Sequence, residues 1–134
     1  IAGKDAPRAI HALGNKAIDV VEEFDHIREA FAMSRVMIAP MRISIGLQNK
    51  ILQAIAMGIP VVTTTQGNAA IGGEHGRHLL VADDAIGLAQ CVDRLLTDGT
   101  LATSIAEQAY VFVRERFSWE RTSLELERML FPAQ

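Results

Sequence analysis

Arg35-Val36-Met37-Ile38-Ala39-Pro40 opens a stretch that runs on through Met41-Arg42-Ile43-Ser44-Ile45-Gly46-Leu47-Gln48-Asn49-Lys50 and ends at Ile51-Leu52-Gln53-Ala54-Ile55-Ala56-Met57-Gly58-Ile59-Pro60-Val61-Val62. Its first part is an apolar run stopped by proline, the pattern of a strand buried on both faces. From Gly46 to Met57 the period changes. Leu47, Ile51, Ala54 and Ile55 fall at i, i+4, i+7 and i+8, which predicts a helix with one apolar face. Gly58 stands where a left-handed C-cap is wanted, and Pro60 follows two residues later. Val61-Val62-Thr63-Thr64 is then a second strand. Strand, helix and strand in this order predict a parallel pair with a helical crossover.

The same alternation extends both ways. Upstream, Asp5 is expected to cap a short helix with Pro7 in its first turn, Ile10 and Leu13 inward, and Gly14 at its end. Ala17–Val21 reads as a strand. Asp25 is expected to cap a helix whose stripe is Ile27, Ala30 and Phe31. Downstream, residues 66–76 carry four glycines and read as a loop, and Leu79–Ala82 as a strand. Asp83 or Asp84 opens a helix with Leu88, Ala89, Val92, Leu95 and Leu96 inward, closed by Gly99. Leu101–Phe117 continues with Ile105, Ala109, Phe112 and Val113, and Ser118 caps a last helix. Together these predict an α/β chain built on a doubly wound, mostly parallel sheet covered on both faces.

Composition narrows the function classes. The 134 residues are 49% hydrophobic and 22% charged, an ordinary globular balance that excludes disorder and coiled coil. Thirteen basic against sixteen acidic residues provide no basic field for nucleic acid. The single cysteine, Cys91, excludes an intrachain disulfide. His11, His26, His75 and His78 lack metal-ligand spacing, and the last two read as surface residues in a glycine-rich stretch. Cys91, Trp119 and the methionines read as packing residues. No apolar run approaches membrane-spanning length, so the chain is expected to be cytosolic or peripheral. It begins Ile1-Ala2-Gly3, like the end of a strand, and is expected to be a fragment of a longer polypeptide.

Chemistry concentrates between Pro40 and Gln53. In a doubly wound sheet, ligands sit beyond the carboxyl ends of the strands. A helix N-terminus there offers unpaired N–H groups and a positive dipole end to an anion. Gly46 permits close backbone approach, and Arg42 and Lys50 add full charges. Asn49, Lys50 and Gln53 share one polar stripe. Spacing alone leaves two readings open: an anionic, nucleotide-like ligand or a solvated helix face.

The run from Ala39 to Val62 closely resembles the family 4 (group 1) glycosyltransferases, nearest to a subgroup reading APLR…GiQNKvLEAMAmGrPVV. Ile1-Ala2-Gly3-Lys4-Asp5-Ala6-Pro7 is similar to that subgroup's "IVGrdP", residues 76–84 to its "GxxLLVADD", and Phe117-Ser118-Trp119 to its "ysW". Glu23 stands where relatives place Gly ahead of the Phe24-Asp25 pair.

The resemblance implies residues 1–134 to be the C-terminal, donor-binding domain of a two-domain GT-B enzyme, a retaining glycosyltransferase that needs no tightly bound metal or cofactor. It implies a nucleotide-diphosphate sugar as donor and an acceptor domain upstream. It also implies a role in cell-surface or extracellular polysaccharide synthesis, in the cytoplasm and at the inner membrane face. Arg42, Lys50 and the amides of Gly46, Leu47 and Gln48 would meet the pyrophosphate. Gln53 would face the ribose, and Thr64, Thr65, Gln66, Gly67 and Asn68 the sugar. The family's E-x7-E carboxylates map to Ile45 and Gln53, so both are absent. The alternative is a non-catalytic nucleotide-binding or interaction domain with a degraded site. The likeness further implies that the first strand–helix unit is missing, between the Ile1 strand and the Val36–Ala39 strand. The tail helix would pack on the absent domain, leaving Leu126, Met129, Leu130 and Phe131 exposed.

Overall fold

In the computed structural model, which describes residues 1–3, 5–23 and 25–131, the chain forms two units, Ile1–Ser34 and Arg35–Gln134. The first holds two short helices, α1 (Arg8–His11) and α2 (Ile27–Ala32). The strand expected at Ala17–Val21 is reduced to isolated bridges, Ile18 with Asn15 and Val21 with Ala2. Asn15 is the cause. Its Oδ1 accepts from the Ala17 amide at 2.8 Å and its Nδ2 donates to the Leu13 carbonyl at 3.1 Å. Such local bonding closes a turn where an apolar run alone would extend.

Neither expected aspartate caps its helix. Asp5 has φ 55°, and Glu22 Oε1 accepts from the Ala6 amide at 2.6 Å, so α1 opens at Pro7 without a side-chain cap. The N-terminus of α2 falls one residue later than expected, at His26, which makes no capping bond. Phe31 is buried but Leu13 and Ile27 are exposed, so the apolar stripes are narrower than their spacing promised. Lys4 and Phe24, part of the motifs quoted above, lie outside the described residues.

The second unit is a parallel sheet flanked by helices, as the alternation predicts. β1 (Met37–Ala39), β2 (Val61–Thr63) and β3 (Leu80–Val81) lie in the order β1-β2-β3. Ile38 stands opposite Val62, and Val62 opposite Leu80. Residues directly opposite point to one face. Val62 and Leu80 are fully buried there against Leu88, Leu95 and Ile105, while Ile38 is 48% exposed. Thus β1 is not covered on both faces, contrary to expectation. The helix α5 (Ala85–Thr97) packs over β2 and β3, and its cover stops short of the edge strand.

Between β1 and β2 runs α3 (Asn49–Ala56). It begins at Asn49, not Gly46, because Gly46 has φ +68° and interrupts right-handed helix. Leu47 therefore falls outside the helix and is exposed, whereas Ile51, Ala54 and Ile55 form the buried face. The end of α3 matches its sequence signal. Gly58 has φ +74°, its amide donates to the Ile55 carbonyl at 2.9 Å, and the Ile59 amide donates to the Ala54 carbonyl at 3.0 Å. This is the Schellman arrangement. A Cβ at Gly58 would meet nothing within 4 Å, so Gly58→Ala incurs conformational strain alone. It is expected to cost about 1–2 kcal/mol, measured by urea unfolding.

After β2, α4 (Thr65–Asn68) replaces the first part of the expected loop. Further on, α6 (Gly99–Arg116) packs against both α3 and α5, and α7 (Trp119–Leu130) follows. Gly99 opens α6 and does not close α5; Asp98 serves both ends, its carboxylate accepting from the Leu101 amide at 2.9 Å. In α5, Leu88, Cys91, Val92 and Leu95 face the core, while Ala89 and Leu96 do not. Ser118 caps α7 as expected. Trp119 is not a packing residue: it is 84% exposed, as Leu126, Met129, Leu130 and Phe131 are also exposed. Met33 and Met57 are likewise exposed, while Cys91 packs on the core. Among the described residues no helix is long and apolar enough to cross a membrane.

Candidate functional site

The parallel register brings the carboxyl ends of all three strands to one edge of the sheet. Short polar side chains tie the segments that leave it. Thr63 Oγ1 donates to the Ala39 carbonyl at 2.9 Å. Thr64 Oγ1 donates to the Met41 carbonyl at 2.7 Å and accepts from the Gly67 amide at 3.1 Å, which caps α4. The Thr65 amide donates to Asp83 Oδ1 at 2.8 Å and its hydroxyl donates to Oδ2 at 2.7 Å. These two bonds, the hydroxyl first, hold the Asp83 carboxyl below the usual aspartate range against a smaller opposing effect of desolvation. Asn68 closes the far end of α4, its side chain donating to the Gly73 carbonyl at 2.7 Å and accepting from the Gly73 amide at 2.9 Å.

The N-terminus of α3 lies at this edge and is treated differently from every later helix. α4, α5, α6 and α7 are capped by the side chains of Thr64, Asp84, Asp98 and Ser118. α3 has Gln48 at the N-cap with no capping bond; Gln48 Nε2 donates back to Ser44 Oγ at 3.0 Å. Its first amides are left for another acceptor. Asn49 and Lys50 in the first turn of α3, Gln53 in its second, and Arg42 in the segment leading to it are all exposed. Neither Arg42 nor Lys50 has an ion-pair or hydrogen-bond partner among the described residues. The arrangement suits an anion: free amides, a positive helix end and two unpaired cations. Ile43 and Ile45 flank it, 77% and 90% exposed.

The sequence-selected residues thus fall into two sets. Arg42, Gly46, Leu47, Lys50, Gln53, Thr65 and Gln66 are exposed at or beside the strand ends. Thr64 and Gly67 are buried, and Gln48 and Asn68 are half-buried and bonded within the protein. Sequence reasoning missed Asp83, whose signal was the Asp83-Asp84 pair: one acid suffices to cap α5, through Asp84 to the Gly87 amide at 2.8 Å, and the other is left over. His75 Nδ1 accepts from the Val81 amide at 2.9 Å and His78 Nδ1 from the Glu74 amide at 3.1 Å. His78 is half-buried and stacked on Phe112 at 4.3 Å, so it is less of a surface residue than its setting implied.

Among solved structures the chain is similar to sucrose-phosphate synthase from Thermosynechococcus elongatus, at 22% identity and a TM-score of 0.80, with 96% of this chain matching 36% of that one. It is similar to Anabaena HepE in complex with UDP, at 20% identity and a TM-score of 0.78, covering 92% of this chain and 35% of that one. A third likeness is the C-terminal domain of a glycosyl transferase group 1 family protein from Francisella tularensis, at 16% identity and a TM-score of 0.70, covering 84% of this chain and 60% of that one. At these identities the likeness is one of fold, the Rossmann-like fold of GT-B proteins, and the chain spans about a third of the first two. No curated protein sequence matches it. The sequence pattern described as "Glycosyl transferases group 1" matches residues 1–98, so the chain belongs to the group 1 glycosyl transferases.

Proposed function

We propose that the chain is the nucleotide-sugar donor-binding half of a retaining glycosyltransferase. The observation that carries this reading is the uncapped N-terminus of α3, with Lys50 in its first turn and Arg42 in the segment leading to it. Arg42, Lys50 and the amides following Gly46 bind the pyrophosphate. As the sugar leaves, negative charge builds on the nucleoside diphosphate, and these groups stabilise it there. Gln53 faces the ribose, and the Thr64–Asn68 segment lines the sugar side. The acceptor is held by a second domain of the parent polypeptide, so the 134 residues alone transfer no sugar. On this reading the parent acts in the cytoplasm, at the inner membrane face, in cell-surface or extracellular polysaccharide synthesis.

One observation favours a second reading, a non-catalytic nucleotide-binding or interaction domain. Gln53 and Ile45 stand where the resemblance puts carboxylates, and an amide bonds ribose hydroxyls without charge assistance. Thermal shift separates the two. Stabilisation by several degrees with a sugar nucleotide, beyond that given by bare UDP or GDP, supports donor binding; a shift with the bare diphosphate alone, or no shift with any of them, supports the second reading. Gln53→Glu is expected to tighten nucleotide binding several-fold, read by isothermal titration. A weaker complex would mean that Gln53 makes a contact of another kind.

A further inference from the structure

Asp83 is exposed, yet both of its carboxylate oxygens are engaged by one residue, Thr65. The span is long for such a clamp, 18 residues from the end of β2 to the end of β3. α4 is a single turn, too short to hold itself in place. The clamp also fixes a proton. A carboxylate only accepts, so the Thr65 hydroxyl must donate to it, and its lone pairs are what remain for anything approaching from solvent. A hydroxyl bonded to an anion is a stronger acceptor than a free one, because the two bonds polarise each other.

We propose that Asp83 is a positioning and specificity-determining residue, which turns Thr65 into an obligate acceptor for a hydroxyl of the donor sugar. The proposal rests on the donor-binding reading and deepens it: the sugar presents a free O–H, not an ether, ester or deoxy position, toward Thr65. Asp83 acts through Thr65 and does not itself contact the sugar.

Asp83→Asn tests this with little change of shape. The Asn oxygen still accepts from the Thr65 amide, but its NH₂ donates to the hydroxyl, and Thr65 then points its proton outward. The measurement is isothermal titration of the chain with UDP, GDP, UDP-glucose and GDP-mannose, comparing each sugar nucleotide with its bare diphosphate. For the unaltered chain, one of the sugar nucleotides binds more tightly than its diphosphate. In Asp83→Asn and Thr65→Val that increment falls by roughly five- to tenfold, the size of one hydrogen bond, while diphosphate affinity stays within about twofold. Thr65→Ser, which keeps the hydroxyl, restores the increment. A merely structural role would move sugar nucleotide and diphosphate together, and that result overturns the proposal. So does an undiminished increment in Asp83→Asn. If the unaltered chain binds no diphosphate at all, the donor-binding reading falls first and the proposal with it.

Discussion

Arg42→Ala and Lys50→Ala are each expected to weaken UDP or GDP binding by about ten- to hundredfold, since a hydrogen bond to a charged group contributes about 1.5–3 kcal/mol. Both side chains are exposed and unpartnered among the described residues, so nothing in the fold depends on them. Unfolding free energy is expected to change by less than about 0.5 kcal/mol in either variant. The two losses differ in character. Arg42 leaves the turn after β1 and offers a planar fork, so Arg42→Lys recovers only part of the affinity; Lys50 is a point charge. Affinity in the unaltered chain should fall as salt rises, and less steeply in the variants. Unchanged affinity in both by isothermal titration would remove the phosphate assignment and leave the uncapped helix end without a role.

What could be read from the sequence divides along chain distance. Local caps were legible: Ser118 and Gly58 act within a few residues and nothing remote competes for them, and the α5 cap was narrowed to Asp83 or Asp84, of which Asp84 serves. The same logic failed at Asp5, which has φ 55° while Glu22, sixteen residues from Ala6, bonds the Ala6 amide. It failed at Ala17–Val21 because one asparagine bonds the backbone on both sides of itself. Burial was legible where a helix sits over the sheet, at Val62 and Leu80, and not at Ile38, because periodicity does not say how far α5 reaches. The site shows the same limit. Gly46, Arg42 and Lys50 are local to one turn and could be named. The Thr64–Met41 and Thr65–Asp83 ties join residues 23 and 18 apart, and only the sheet register brings them together.

Gly67, chosen from sequence for the site, is also tightly packed, and its substitution carries the other large expected effect. Its backbone is helical, within α4, so it needs no special conformational freedom. The constraint is space. A Cβ there would fall on the Thr63 hydroxyl and within 3.3 Å of Met41 Cγ. Thr63 cannot give way freely, for it is fully buried and its hydroxyl donates to the Ala39 carbonyl across the β1–β2 pair. Gly67→Ala must therefore break that bond or lift α4 off the sheet, and is expected to cost about 1–3 kcal/mol, a typical overpacking penalty. Gly58→Ala serves as the contrast, since its strain is conformational and its surroundings empty. If α4 lifts, Thr65 moves away from Asp83, and the binding increment due to the sugar falls along with stability. If Thr63 rotates instead, stability falls and the increment stays. Urea unfolding of the two glycine variants, followed by titration with diphosphate and sugar nucleotide, separates these responses. A Gly67→Ala chain as stable as the unaltered one, within about 0.5 kcal/mol, would mean that α4 does not seat on Thr63 and that the strand ends are held together less closely than these bonds describe.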